Sequence, residues 1–222
     1  MNKSTALIIG GSSGLGLELA HLLSATHRVL VTGRRNPKQK NLQFIPLELD
    51  SVDLTENLDW SHENLTNIDL LVYAAGFFQE GKIDNLSDVD IEKMGQVGLL
   101  APAFIIQRII KNQGSLPGFI AITSTSQWTP RLLEPMYTAV KAALAMLANS
   151  LSLDERVGKV LVAGPAGMAT RFWENSPRDL SKMLDPKWVA EQILQLYEGN
   201  FKYRFARIMR DPARVEVVET RQ

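Results

Sequence analysis

Three side chains stand at spacings that acid–base chemistry can use. Tyr137 and Lys141 are four residues apart just after Pro135, and Ser124 lies thirteen residues before the tyrosine. On a helix, a separation of four puts both side chains on one face, a turn apart. A free phenol ionises near pH ~10, so a tyrosine needs help to exchange a proton near neutrality. A lysine ammonium one turn away and the positive end of a helix both favour the phenolate. With a serine hydroxyl beside them, such a pair can protonate a carbonyl oxygen or deprotonate an alcohol. The chain has few other groups for the task. It contains no cysteine, which excludes disulfides and thiol nucleophiles, and His21, His27 and His62 show no metal-ligand spacing.

The elements that must position these residues alternate along the chain. Apolar runs at Ala6–Ile9, Arg28–Thr32, Phe44–Leu49, Ile68–Ala75, Gly118–Thr123, Val160–Ala163 and Tyr203–Ile208 read as buried strands. Between them, Leu15–Ser24, Asp88–Lys111, Pro135–Leu153 and Pro186–Tyr197 read as helices, Asp88–Lys111 as one long helix. Near-continuous apolar strands alternating with helices predict a parallel sheet covered on both faces. Right-handed crossovers make it doubly wound, with a ligand crevice at the carboxyl ends of the strands. The expected fold is α/β: a Rossmann-like, mostly parallel seven-stranded sheet in a three-layer αβα sandwich, forming a single domain. Ser124 and the Tyr137–Lys141 pair then meet at the carboxyl edge of the sheet.

Composition bounds the partners. The 222 residues carry 24 Lys+Arg and 24 Asp+Glu, 45% are hydrophobic, and the net charge is zero. A balanced chain has no global field for nucleic acid or a membrane surface, and no run nears the ~18 apolar residues that span a bilayer. The composition by itself predicts only a soluble, cytoplasmic protein of one domain. One local charge run stands out, at Arg34, Arg35, Lys38 and Lys40.

The first strand runs into Gly10, Gly11, Ser12, Ser13, Gly14, Leu15 and Gly16 as a helix begins. Glycines let the backbone approach a pyrophosphate, and a helix N-terminus offers it free N–H groups. A dinucleotide fold for NAD usually has an acid after the second strand to hold the ribose hydroxyls. Arg34 and Arg35 stand there instead, and an arginine pairs with a ribose 2′-phosphate, so NADP(H) is expected over NAD(H). Asp50, after the third strand, is either an acceptor for the adenine amino group or a helix N-cap.

With these residues in place, the chain resembles the short-chain dehydrogenase/reductase family from about residue 5 to about residue 200. The family's T-G-x-x-x-G-x-G is matched by Ile9 to Gly16, its Y-x-x-x-K by Tyr137 to Lys141, its serine by Ser124, and its P-G-x-x-x-T by Pro165 to Thr170. The resemblance implies that Tyr137 is the acid/base, that Lys141 binds the nicotinamide ribose and that Ser124 holds the substrate oxygen. It also implies that Pro165 and Thr170 lie at the nicotinamide carboxamide, with Ala74, Ala75 and Gly76 along the cofactor. The segment 168–184 would be a substrate lid, with Phe172, Trp173 and Met183 on its apolar side and Trp128 on the opposite wall. Association into a homodimer or homotetramer is implied through helices 88–111 and 135–153.

The departures are specific. The family's N-N-A-G reads Tyr73-Ala74-Ala75-Gly76, Ile9 replaces its threonine, and Ala166 replaces a glycine. The asparagine that holds a relay water in the central helix aligns with Gly98, which has no side chain to do so. The expected function is hydride transfer between NADP(H) and a carbonyl/alcohol pair. The alternative is an NADP(H)-binding sensor with weak or no turnover. Residues 207–222, with Val215, Val217 and Val218, could add a strand, meet a partner subunit or stay mobile.

Overall fold

The computed structural model describes residues 3–49, 67–174 and 178–222. Asp50 lies outside them. The described strands are β1 (Ser4–Ile9), β2 (His27–Gly33), β3 (Gln43–Pro46), β4 (Leu70–Tyr73), β5 (Leu116–Ile122), β6 (Val157–Pro165), β7 (Tyr203–Met209) and β8 (Arg214–Arg221). They form one sheet in the order β3-β2-β1-β4-β5-β6-β7-β8. Every neighbouring pair is parallel except β7–β8. The sheet is therefore doubly wound, but with eight strands where seven are expected. The extra one settles the C-terminal alternatives: the segment turns back as an antiparallel edge strand.

Both faces of the sheet are buried, which is why the central strands carry no polar alternation. Ala6 and Ile8 of β1 face one layer with Leu19 of α1 (Gly14–Leu23) and Val189 and Ile193 of α5 (Pro186–Tyr197). Leu7 and Ile9 face the other layer, with Ile105 and Ile109 of α3 (Ala101–Gln113) and Leu144 and Ala148 of α4 (Pro135–Leu151). On α4 the buried positions Tyr137, Val140, Lys141, Leu144 and Ala148 follow the helical period, so the reactive pair shares the stripe that anchors the helix.

The expected long helix from Asp88 to Lys111 is broken. Helix α2 (Asp88–Gly95) leads into a π-helical turn at Gln96–Leu100, and α3 resumes from there. The N–H of Ala101 bonds to Gln96 O, leaving Val97 O without its usual partner. The next donor in the wider register would be residue 102, but Pro102 has no N–H. The hydroxyl of Tyr73, fully buried at the end of β4, donates to Val97 O instead. The tyrosine in place of a family asparagine thus supplies the hydrogen bond that the π turn forfeits. Gly98 is equally constrained, since a Cβ there would lie 2.7 Å from Val140 on α4. An asparagine has no room unless Val140 gives way.

Candidate active site

The nucleotide end of the crevice is made of backbone. Gly10 has φ +80°, and a Cβ on it would lie 2.7 Å from the backbone of Ala75. A Cβ on Gly16 would lie 2.3 Å from Gly10 O. These contacts pack the start of α1 hard against the ends of β1 and β4, and Gly10 N–H is held by the hydroxyl of Thr32 at 3.3 Å. Ser13 precedes α1 in an extended conformation and makes no side-chain capping bond. Unlike the helices capped by Ser87 and Asp185, α1 has no side-chain bond from its N-cap to its first N–H groups. An uncapped N-terminus, a glycine at φ +54° (Gly14) and close-packed glycines fit the phosphates of a dinucleotide. Ser12 packs directly on Gly33, so the exposed Arg34 and Arg35 begin the loop beside the glycine turn.

The reactive end is made of side chains. Ser124 follows β5 and opens the turn Thr125–Gln127, where its Oγ accepts Ser126 N–H at 3.1 Å. Tyr137 is buried in the first turn of α4, where the Ser124 hydroxyl bears on its phenol and favours the phenolate. Lys141 donates to Ile122 O at 3.1 Å, with Nζ 5.7 Å from the Tyr137 ring centre. Lys141 Nζ is also 3.7 Å from where a Cβ on Gly76 would stand. Tyr137 and Lys141 therefore share one face of α4, with Lys141 reaching Gly76 and Ser124 in the turn after β5.

Electrostatics differ from the sequence expectation. Burial pushes the Tyr137 phenol above its ordinary range; the Ser124 hydrogen bond opposes this, Glu134 adds to it, and Arg178 and Arg131 oppose it. Burial also brings Lys141 down to about 8. Desolvation outweighs the lysine and helix-end effects that favour phenolate, because both groups lie on the buried stripe of α4.

Residues 168–174 and 178–184 lie against the site. Their ends are stitched by a bridge between Met168 and Leu184 and by Ala169 N–H to Leu184 O at 2.9 Å. Thr170 faces Gly14. Phe172 reaches Gly76 and tilts over Tyr137 at 6.1 Å between ring centres. Phe78 meets Tyr137 edge-on at 5.2 Å and Trp173 at 5.2 Å. Pro165 is buried at the end of β6, and Ala74 and Ala75 follow β4 beside the glycine turn. Met183 packs on Gly167. Trp128 packs instead on Gly164 and Phe205, under the Arg207 guanidinium.

Sequence reasoning missed four polar residues. Glu134, 5% exposed, accepts from Ser126 Oγ at 3.0 Å and from Arg178 at 2.8 Å, and Arg178 also reaches Glu80 at 3.1 Å. Acid and base lie 44 and 98 residues apart, so no motif joins them. The one local hint is the placement of Glu134 three residues before Tyr137.

A doubly wound sheet with an open glycine turn at one end and a Tyr–Lys–Ser cluster at the other is the architecture of a dinucleotide-dependent oxidoreductase. The short chain dehydrogenase family model matches residues 4–181, and the chain belongs to that family. It is 30% identical over 219 residues to the uncharacterized oxidoreductase DltE of Bacillus subtilis, covering 91% of this chain and 86% of that one. Among solved structures it is similar to a short chain dehydrogenase family protein of Francisella tularensis, with TM-score 0.79 and 19% identity over 93% of this chain and 97% of that one. It is also similar to a short-chain dehydrogenase of Sphingobium yanoikuyae in complex with NADPH, with TM-score 0.75 and 18% identity over 86% and 82% of the two chains. The family implies a nicotinamide dinucleotide as cofactor and a small-molecule substrate. Among the described residues, no helix is long and apolar enough to cross a membrane.

Proposed function

We propose that the protein is an NADP(H)-dependent oxidoreductase that interconverts a carbonyl and an alcohol, with Tyr137 as its acid/base. The observation that carries this reading is that Tyr137 and Lys141 share the buried face of α4, with Lys141 at Gly76 and Ser124 bearing on the Tyr137 phenol. The nicotinamide, when bound, supplies or takes the hydride. Ser124 holds the substrate oxygen, Tyr137 exchanges a proton at its phenol oxygen, and Lys141 and Thr170 hold the cofactor's ribose and carboxamide. Arg34, with Arg35 beside it, selects the 2′-phosphate; the NADPH complex of the Sphingobium protein is consistent with that choice. A buried, protonated Tyr137 suits proton donation to a carbonyl at neutral pH.

Residues 168–174 and 178–184 act as the lid of one 222-residue domain, and the rings of Phe78, Phe172 and Trp173 favour an apolar substrate. Exposed Leu100 and Phe104 at the start of α3 and Met146 on α4 support a homodimer or homotetramer through those helices. The cysteine-free composition fits a cytoplasmic protein.

The sensor reading keeps one argument: Val140 occupies the space of the family's relay asparagine at Gly98. The two are separated by titrating NADPH and NADH, then following NADPH oxidation across aldehydes, ketones and quinones. The enzyme reading expects tighter binding of NADPH, turnover with at least one carbonyl, and a ~10³-fold loss of kcat in Tyr137→Phe with cofactor affinity retained. If neither dinucleotide binds, the reading falls. Binding without any turnover favours the sensor.

A further inference from the structure

The first turns of α4 are held from the side by the end of α2 and the π turn. Met94, fully buried, belongs to the same apolar cluster as Tyr137, with Met136 packed against it. A Cβ on Gly95 would meet Met136 Cε at 3.7 Å, and one on Gly98 would meet Val140 Cβ and Cγ2 at 2.7 Å. Two glycines three residues apart thus bring main chain onto two side chains four apart, and Tyr137 stands between those two. Lys141 follows Val140 directly, and its Nζ lies beside Gly76. At position 98 a residue with a Cβ fits only if α4 moves. The register of the π turn decides that Gly98 is the residue facing Val140. An α-helical register would rotate one side of the turn against the other by ~100°, and both neighbours of Gly98, Val97 and Leu99, carry side chains. The turn does not hold itself: Ala101 N–H goes to Gln96 O, Pro102 has no N–H, and Val97 O relies on the Tyr73 hydroxyl. A buried carbonyl without a donor is costly. Without that hydroxyl, the α register wins, because there Ala101 N–H returns to Val97 O.

We propose that Tyr73 is a positioning residue for Tyr137 and Lys141. Its hydroxyl selects the π register, the register keeps Gly98 against Val140, and that contact sets where the first two turns of α4 lie. The proposal rests on the reading of Tyr137 as acid/base. Tyr73 acts on the other wall of the site as well. It ends β4 three residues before Gly76, and Ala74 N–H bonds to Ile9 O at 2.9 Å, so the same residue leads into the main chain that Lys141 approaches. One buried hydroxyl thus ties the Gly76 side of the crevice to the α4 side. Small shifts matter there, because a misplacement of ~1 Å in a reacting geometry can cost ~10²-fold in rate. The tyrosine at 73 and the glycine at 98 are then one matched device: each departs from the family pattern, and each needs the other.

The test compares full-length wild type, Tyr73→Phe, Pro102→Ala, the Tyr73→Phe/Pro102→Ala double variant and Tyr137→Phe, at a temperature where circular dichroism shows each to be folded. Phenylalanine keeps the ring and removes the donor. Alanine at 102 supplies a main-chain N–H that the π register directs at Val97 O. The readouts are NADPH affinity by fluorescence titration, and kcat and KM for NADPH oxidation with the best carbonyl of the aldehyde, ketone and quinone screen. Tyr73→Phe should lose about tenfold in kcat, with KM and NADPH affinity changed less than about threefold. Pro102→Ala should stay within about twofold of wild type, and the double variant should recover to within about threefold, because either donor holds the register. A Tyr73→Phe protein with lower stability but wild-type kcat, while Tyr137→Phe is inactive, would make Tyr73 structural only and overturn the proposal alone. A loss in Tyr73→Phe that Pro102→Ala does not recover would overturn it too. A wild type that binds NADPH but reduces no carbonyl overturns the acid/base reading and the proposal with it. Should Tyr73→Phe fail to fold, Gly98→Ala decides the matter. Its added methyl wedges the turn off Val140 and should cost about tenfold in kcat with NADPH affinity retained, and an unchanged kcat overturns the proposal.

Discussion

The two ends of the crevice are built from different material. At the β1–α1 turn the walls are main chain: Gly10 lies against Ala75, Gly16 against Gly10 O and Ser12 against Gly33. Around Tyr137 the walls are side chains from separate parts of the chain, with Glu80, Glu134 and Arg178 forming one ion-paired cluster. A backbone site tolerates no added atom but asks little of the residues around it. A side-chain site tolerates changes of shape but depends on each charge having its partner, because burial penalises every unpaired one. The first end is therefore set by backbone geometry. The second sets proton affinities by balance.

That contrast gives expectations of decreasing size. Gly16→Val places atoms where a Cβ alone would be 2.3 Å from Gly10 O, so the turn cannot close as it is. We expect a loss of ~3 kcal/mol or more in stability, read from thermal or urea unfolding, together with loss of dinucleotide binding. A variant that binds NADPH normally would show that the turn is not backbone-limited.

At the other end, Lys141→Met should stabilise the protein. Burial brings the lysine from 10.5 when unfolded to about 8 when folded, so between those values the unfolded chain binds more protons and stability rises with pH. The cost of burying the charge is fully present below about 8 and is relieved towards 10.5. The methionine variant should exceed wild type at pH 7 by up to ~3 kcal/mol, and the gap should shrink as pH climbs through that window. A gap independent of pH would trace the gain to packing instead. The variant should also lose activity, so stability and function separate at one side chain.

The smallest effect belongs to an exposed group. Arg34→Ala should weaken NADPH by about 10- to 50-fold, the worth of a charge-assisted contact at a wet site, and leave NADH nearly unchanged. Equal weakening of both, measured by fluorescence titration, would remove Arg34 from the 2′-phosphate and leave the adjacent Arg35 to be tested in the same way.

How much of this was legible in the chain follows the same division. The glycine turn could be read because its constraint is local: positive φ and close approach exclude all other residues at fixed spacing, whatever the rest of the chain does. Tyr137, Lys141 and Ser124 could be read because a helical turn and a strand end fix their places. The break at Gln96–Leu100 was hidden, although Pro102 stood in view. The periodicity on either side is helical, and only the burial of Tyr73 beneath Val97 O shows where the unpaired carbonyl goes. The eighth strand was one of three open alternatives for a polar, alternating tail that is settled by pairing with β7.

The sequence by itself determined the doubly wound order, the close-packed glycine turn and the shared helix face of Tyr137 and Lys141, because each rests on short-range geometry or periodic burial. Only the tertiary structure decided the protonation balance. Glu134, Arg178 and Glu80 meet through loops that no pattern links, and Lys141 and Tyr137 lose the solvent that sets their ordinary pKa values. Coulombic and desolvation energies depend on distance in space and on burial, and neither quantity is written in the spacing of residues along the chain.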